Sequence, residues 1–163
     1  MIEYQEEKTM ERTFVALKPD AVRRGLIGRI IKRFENRGYK IIGMKMLHPT
    51  VEMAKKHYAE HEGKYFYERL IRYLTSGPII AMVLQGEDAV HGVRQLMGST
   101  KPGDAEPGTL RADFAQIQEF NIVHGSDSVE SAQREIDIYF KPEELCTNWK
   151  TITEIVMESE ARI

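Results

Sequence analysis

A chain of 163 residues, 42% apolar and 29% charged, has the make-up of one ordinary globular domain with a substantial core. Its net charge of −2 gives no argument for a membrane or an obligatory nucleic-acid partner, and its single cysteine, Cys146, excludes an internal disulfide and a cysteine metal cluster. No apolar run approaches the roughly 20 residues that span a bilayer, and residues 1–11 lack a secretory apolar stretch, so a soluble cytoplasmic protein is expected.

Residues 1–11 read as a polar N-terminal extension, 12–141 as the domain, and 142–163 as a tail packed on the domain or a neighbouring subunit. Residues 13–17 form an apolar strand that ends where Pro19 stops the ladder, leaving Lys18 at its tip. A helix is expected over 21–37, with Leu26, Ile30, Ile31 and Phe34 as its buried stripe and Gly38 as its cap. A strand follows over 39–48. Thr50 is placed to cap a helix over 51–62, and a second helix covers 64–75. On this helix pair, His57 and His61 have a zinc-like spacing. With no H-E-x-x-H pattern and no cysteine nearby, a metal site there is not expected.

Gly77-Pro78 breaks the chain before a third strand over 79–84. Asp88 is expected to cap a helix over 89–97 that buries Val90, Val93, Leu96 and Met97 and leaves Arg94 off the stripe. A loop over 98–110, rich in Gly, Pro, Ser and Thr, is long enough to suggest function. Residues 109–114 then lead to a fourth strand whose last residues, Asn121, Ile122 and Val123, carry His124 to its end. Gly125 offers a sharp turn, and Ser126-Asp127-Ser128 can cap a final helix over 129–140. Val129, Ala132, Ile136 and Tyr139 share one side of that helix, with Glu135 beside them. With the helix pair taken as an insertion, the order is βαββαβ. That is an α+β, ferredoxin-like antiparallel sheet covered by helices, with an inserted helix pair and a long loop.

Phosphate-binding loops of the common kinds are missing. The nearest match to a P-loop, Gly103 to Gly108, is followed by Thr109 instead of lysine, and no protein-kinase signature occurs. A nucleotide enzyme with this sequence must grip phosphates with side chains, and Lys18, Arg94 and Arg111 offer the charges. A neutral imidazole, His124, is a competent nucleophile near neutral pH.

The octet Asn121-Ile122-Val123-His124-Gly125-Ser126-Asp127-Ser128 resembles the active-site signature of nucleoside diphosphate kinases, and further landmarks recur in register from Arg12 to Phe140. The resemblance implies a ping-pong transfer of the γ-phosphate of a nucleoside triphosphate, chiefly ATP, to a nucleoside diphosphate, which maintains NTP and dNTP pools. His124 would be the phosphohistidine nucleophile through Nδ1, with Ser126 and Glu135 orienting its ring. Lys18, Arg94, Thr100 and Arg111 would hold phosphate, with Tyr58 on the phosphate side. Phe66 would stack on the base, which suits a base-indifferent enzyme, and Asn121 would bond the ribose. Mg²⁺ would arrive with the phosphates and need no direct protein ligand. A homo-oligomer is implied, a hexamer built as a trimer of dimers, with tetramers in some bacterial members.

Two positions depart from the family pattern. Ala112 stands where R-G-D is common, and Gln118 stands where an apolar residue often covers the base. Both are expected to tune base affinity. The rival readings are a nucleotide-binding member without catalysis and an RNA-binding domain of similar fold. The first would have lost the histidine or a phosphate ligand, and the second would carry an aromatic R-G-F strand motif that is missing here.

Overall fold

A computed structural model describes residues 10–160, so most of the expected N-terminal extension, residues 1–9, lies outside the described residues. In chain order the elements are β1 (Met10–Leu17), α1 (Pro19–Arg23), α2 (Ile27–Asn36), β2 (Lys40–Leu47), α3 (Val51–His57), α4 (Tyr67–Leu74), β3 (Ile79–Glu87), α5 (Ala89–Met97), α6 (Leu110–Phe114), β4 (Val123–Gly125), α7 (Val129–Tyr139) and α8 (Ile152–Glu160). The sheet runs β2-β3-β1-β4, antiparallel at every seam. This is the ferredoxin-like α+β arrangement.

Helices cover both faces of the sheet, which is why its central strands carry unbroken apolar runs, 14–17 in β1 and 79–84 in β3, instead of alternating. Phe14 and Ala16 of β1 face a cluster built with α3, α4 and α7 through Ala54, Ile71 and Ile136. Val15 and Leu17 face the opposite cluster, built with α1, α2, α5 and α6 through Ala21, Phe34, Val93 and Leu110. Each fully buried Phe or Leu in these layers stabilises the fold by about 1.5–3 kcal/mol.

Several local details differ from the sequence reading, each for a physical reason. The helix expected over 21–37 is split, because Gly25 adopts φ +67° between α1 and α2. Asp88 sits in the left-handed region at φ +50° and does not cap α5. The carboxylate of Glu11 caps it instead, accepting from the Val90 N–H at 3.1 Å, and β1 begins at Met10. Glu11 therefore belongs to the sheet and not to the N-terminal extension. The helix pair is shorter than expected: α3 ends at His57, and α4 starts only at Tyr67. Residues 110–114 are a helix, capped by the Thr109 hydroxyl, and the fourth strand shrinks to three residues. Val129 is exposed at the start of α7. Ser128 caps α7 and Thr50 caps α3 as their sequences suggest.

The tail folds back along β2. The Cys146 N–H donates to the Ile42 carbonyl at 2.6 Å, and the buried Lys40 ammonium donates to the Trp149 carbonyl and lies 4.7 Å above its ring. Helix α8 follows, its Ile152 and Met157 exposed.

Two features set up the end of β4. Gly125 is not a turn. It is where β4 passes under α5, and a Cβ there would lie 2.5 Å from Met97 Sδ. The turn lies three residues earlier. Ile122 has φ +62°, and the Val123 N–H donates across it to the Asn121 carbonyl at 2.7 Å. That i→i+2 bond over a positive-φ residue is a γ-turn of the rare, strained kind. For a β-branched side chain the strain is on the order of 1–3 kcal/mol. The fold holds it in place: Ile122 is fully buried, its N–H donates to Asp20 Oδ2 at 3.0 Å, and its carbonyl accepts from the Lys18 N–H at 2.8 Å. Asp20 is fixed in turn by the Tyr73 hydroxyl, which donates to Oδ1.

Candidate active site

The cleft lies between the inserted helix pair and the ends of β1 and β4, and holds about 740 Å³. Lys18, Tyr58, Phe66, Arg94, Thr100, Arg111, Asn121, His124 and Glu135 all line it, although they come from eight separate stretches of chain. Ser126 is fully buried behind the lining.

Pairing of Ala16 with His124 places the histidine on the Phe14 side of the sheet, facing α7 and α3. Its Nε2 lies 2.9 Å from Glu135 Oε1, one turn and a half into α7. A carboxylate only accepts, so the ring hydrogen sits on Nε2 and Nδ1 keeps its lone pair. The other oxygen of Glu135 accepts from the Ser126 hydroxyl, and Ser126 Oγ accepts in turn from the Phe14 N–H at 3.3 Å. Ser126 thus acts on Glu135, not on the imidazole. The chain of bonds ties the ring to the middle of β1.

Positive charge gathers on the opposite wall. Lys18 Nζ donates to Asn121 Oδ1 at 2.6 Å, and Asn121 Nδ2 donates to the Thr100 carbonyl at 3.1 Å. Asn121 therefore links the tip of β1 to the long loop. Burial first, and then the Arg111 charge, lower the Lys18 pKa to about 8. Arg94, exposed on α5, reaches over β4 and donates to the Gly125 carbonyl at 3.2 Å. Arg111 is buried, and its donors go to three backbone carbonyls: Asn121 at 3.4 Å, Gly98 at 2.9 Å and Val123 at 2.7 Å. Burial and then the Arg94 charge pull its pKa down to about 10. It clamps the loop and the γ-turn while keeping part of its five-donor fork for the cleft.

Lys18 supplies a pH signature. Below about pH 8 its ammonium is charged and available to phosphate; above that value the charge is lost. Nucleotide KM is expected to hold level below this pH and to climb by about tenfold per unit well above it. Lys18→Arg, whose guanidinium does not titrate there, is expected to flatten the climb. A KM that stays constant to pH 10 in the unaltered chain would contradict this role.

Phe66 immediately precedes α4, half-exposed, with its ring edge-on to His61 at 5.4 Å. Tyr58 sits deeper, and burial followed by the Glu135 charge raises its phenol, so it enters the cleft as a donor. Gln118 also lines the cleft, as a polar side chain. Ala112 lies in α6 outside the positive-φ region, so its Cβ meets no backbone obstacle. His57, considered in the sequence only as a zinc partner of His61, instead turns inward beside His124, their ring centroids 4.5 Å apart. His57, His124 and Glu135 bring three possible ligand groups within 4.8 Å of one another. Both oxygens of Glu135 are engaged, however, by His124 and Ser126, and His57 bonds the Tyr139 hydroxyl instead. Sequence reasoning missed Asp20, Tyr73 and this role of His57. Asp20 could have been found, since it stands in the same Lys18-Pro19-Asp20 run as the lysine.

The family model for nucleoside diphosphate kinase matches residues 11–145. The chain belongs to the nucleoside diphosphate kinase family. The nucleoside diphosphate kinase of Methanococcus maripaludis is 60% identical over 131 residues, 80% of this chain and 98% of that relative. That of Methanocaldococcus jannaschii is 59% identical over 135 residues, 83% of this chain and 96% of the relative. Among solved structures, a nucleoside diphosphate kinase from Halobacterium salinarum in complex with CDP superposes with a TM-score of 0.86 at 45% identity. The match covers 91% of this chain and 98% of that one. As a nucleoside diphosphate kinase, the chain transfers phosphate from a nucleoside triphosphate to a nucleoside diphosphate.

Proposed function

We propose that His124 carries the phosphoryl group in this transfer, and that nine residues divide the work around it. The observation that carries the reading is the Glu135 bond to Nε2, which leaves Nδ1 as the unprotonated nitrogen of the neutral ring, in a cleft that Lys18, Arg94 and Arg111 also line. Nδ1 attacks the γ-phosphorus of a bound nucleoside triphosphate, the bond from phosphorus to the bridging oxygen breaks, and the nucleoside diphosphate leaves. A second diphosphate enters and its terminal oxygen attacks the phosphohistidine, breaking the P–N bond and restoring the imidazole. Such a transfer has a loose transition state, so positioning and neutralisation of charge supply most of the catalysis. Lys18, Arg94, Arg111, Thr100 and the Tyr58 hydroxyl neutralise the phosphates. Phe66 stacks on the base, and Asn121 bonds the ribose.

Mg²⁺ fits this donor set as an ion that brings most of its ligands with it. Glu135 is committed to His124 and Ser126, and the exposed Asp127 is the carboxylate beside them on the cleft wall. When bound with the nucleotide, the ion shields the phosphate oxygens and keeps several waters. The exposed Met44 and Met46 of the edge strand β2 support the reading of a homo-oligomer, and a hexamer of three dimers is the form that the family resemblance implies. No helix of the described residues is long and apolar enough to cross a membrane, in keeping with a cytoplasmic enzyme.

The test is to mix the protein with Mg²⁺ and γ-labelled ATP without acceptor. The expected result is label on the chain that survives alkali, is lost in acid, and moves onto added GDP. Folded, nucleotide-binding protein that takes up no label would refute the phosphohistidine.

A further inference from the structure

His57 and Tyr139 have no part in the scheme above, yet both are buried, His57 against the nucleophile and Tyr139 against His57. His57 closes α3 and is 6% exposed; Tyr139 closes α7 and is 3% exposed. The Tyr139 ring stacks on Phe14, with centroids 4.7 Å apart and planes 9° from parallel, so it has little freedom to turn. Its hydroxyl has one partner among the described residues, Nδ1 of His57 at 3.0 Å. A buried hydroxyl with a single partner donates its hydrogen there, since otherwise that hydrogen is unsatisfied. Burial also raises the Tyr139 phenol, so the hydrogen stays on it. His57 Nδ1 is then an acceptor and the ring hydrogen lies on Nε2.

The His57 ring meets the His124 ring edge to face, 4.5 Å between centroids and 66° between planes. His124 is thus held twice: at Nε2 by Glu135 and through its edge-to-face contact with the His57 ring. One bond alone leaves a ring free to rock about that bond, and the second contact removes that freedom.

We propose that the Tyr139–His57 pair is a positioning device for the nucleophile, locking His57 as an uncharged Nε2–H ring that fixes the tilt of His124. The charges around His57 agree. Burial and then His124, Lys18, Arg134 and His61 all disfavour its cation, while Glu135 and the two phenols, Tyr58 and Tyr139, complete its surroundings. A neutral neighbour matters because the imidazole of His124 gains positive character as the P–N bond forms. A cation beside it would oppose that step and compete for Glu135. The role rests on the phosphohistidine reading above.

The experiment compares the unaltered chain with Tyr139→Phe, His57→Ala and His57→Gln. Long-range 1H–15N spectra of the imidazoles report the tautomer. Single-turnover labelling from γ-labelled ATP reports phosphorylation of the chain, and equilibrium nucleotide binding reports the cleft. The unaltered His57 is expected to be neutral with its hydrogen on Nε2 at neutral pH, and Tyr139→Phe to mix the tautomers. Phosphorylation is expected to slow by about 3- to 10-fold in Tyr139→Phe and by up to about 100-fold in His57→Ala, the scale of a small misplacement of a reacting group. Nucleotide affinity is expected to stay within about twofold, and His57→Gln to recover part of the rate. The proposal is overturned by a cationic or Nδ1–H His57 in the unaltered protein, by unchanged rates in the variants, or by affinity falling in step with rate. Should His57→Ala fail to fold, Tyr139→Phe and His57→Gln still decide the matter. An unaltered chain that takes up no label refutes the phosphohistidine as well; a labelled one with unaffected variants refutes this role alone.

Discussion

Replacing His124 by asparagine is expected to abolish covalent phosphoryl uptake and to lower turnover by at least about 10⁴-fold, the scale of losing a nucleophile with no substitute. The fold should survive. The His124 side chain is 24% exposed, and its one side-chain hydrogen bond among the described residues is that to Glu135, whose other oxygen keeps the Ser126 hydroxyl. Nucleotide affinity should change little, because Lys18, Arg94, Arg111 and Phe66 are untouched. The measurement is steady-state transfer from ATP to GDP alongside acid-labile labelling of the chain. Turnover within tenfold of the unaltered enzyme would mean that phosphate passes directly between nucleotides or through another group.

Arg111→Ala is the second large effect, and it should appear in stability as much as in rate. The guanidinium satisfies the carbonyls of Gly98, Asn121 and Val123 at once, two of which flank the strained Ile122. A buried polar group left without its partner costs about 1–3 kcal/mol. The Asn121 carbonyl keeps the Val123 N–H, so two carbonyls lose their donor and a loss of about 2–5 kcal/mol is expected in urea unfolding. Removing one cationic donor from the phosphates should lower kcat by a further factor of about 10²–10³. Arg111→Lys, with one charge but no fork, is expected to recover part of the rate and little of the stability. An unchanged unfolding midpoint in Arg111→Ala would show that the three carbonyls are satisfied without it, leaving only a role at phosphate.

The sheet was legible because its two central strands carry unbroken apolar runs, 14–17 and 79–84, and its helices carry clear stripes, as at Ile30 and Phe34. The caps at Thr50 and Ser128 followed from residue type alone, since a hydroxyl ahead of a helical pattern has one obvious use. Asp88 has the same chemistry and fails, because a carboxylate distant in sequence, Glu11, reaches the helix end first. Tertiary competition of that kind leaves no trace in a local window. The cleft residues came from a motif, and the structure brings nine of the ten to one cavity. What the motif did not reveal is how they depend on one another: Ser126 reaches the ring only through Glu135, and Arg111 serves backbone carbonyls. Backbone conformation was the least visible. Gly125 looked like the turn because glycine tolerates any φ, yet a β-branched isoleucine carries the positive φ under the hold of Asp20 and Lys18.

That γ-turn also settles a matter of parity. A strand sends alternate side chains to opposite faces, so residues 121 and 124, an odd number of steps apart, would point away from each other on a regular β4. One of them would be lost to the far side of the sheet. The reversal at Ile122 inserts a half-step into the count, and Asn121 and His124 both open onto the same cavity. A glycine at position 122 would adopt the turn without strain but would adopt the extended form as readily. The isoleucine, anchored by its burial, keeps the odd and even residues facing one substrate.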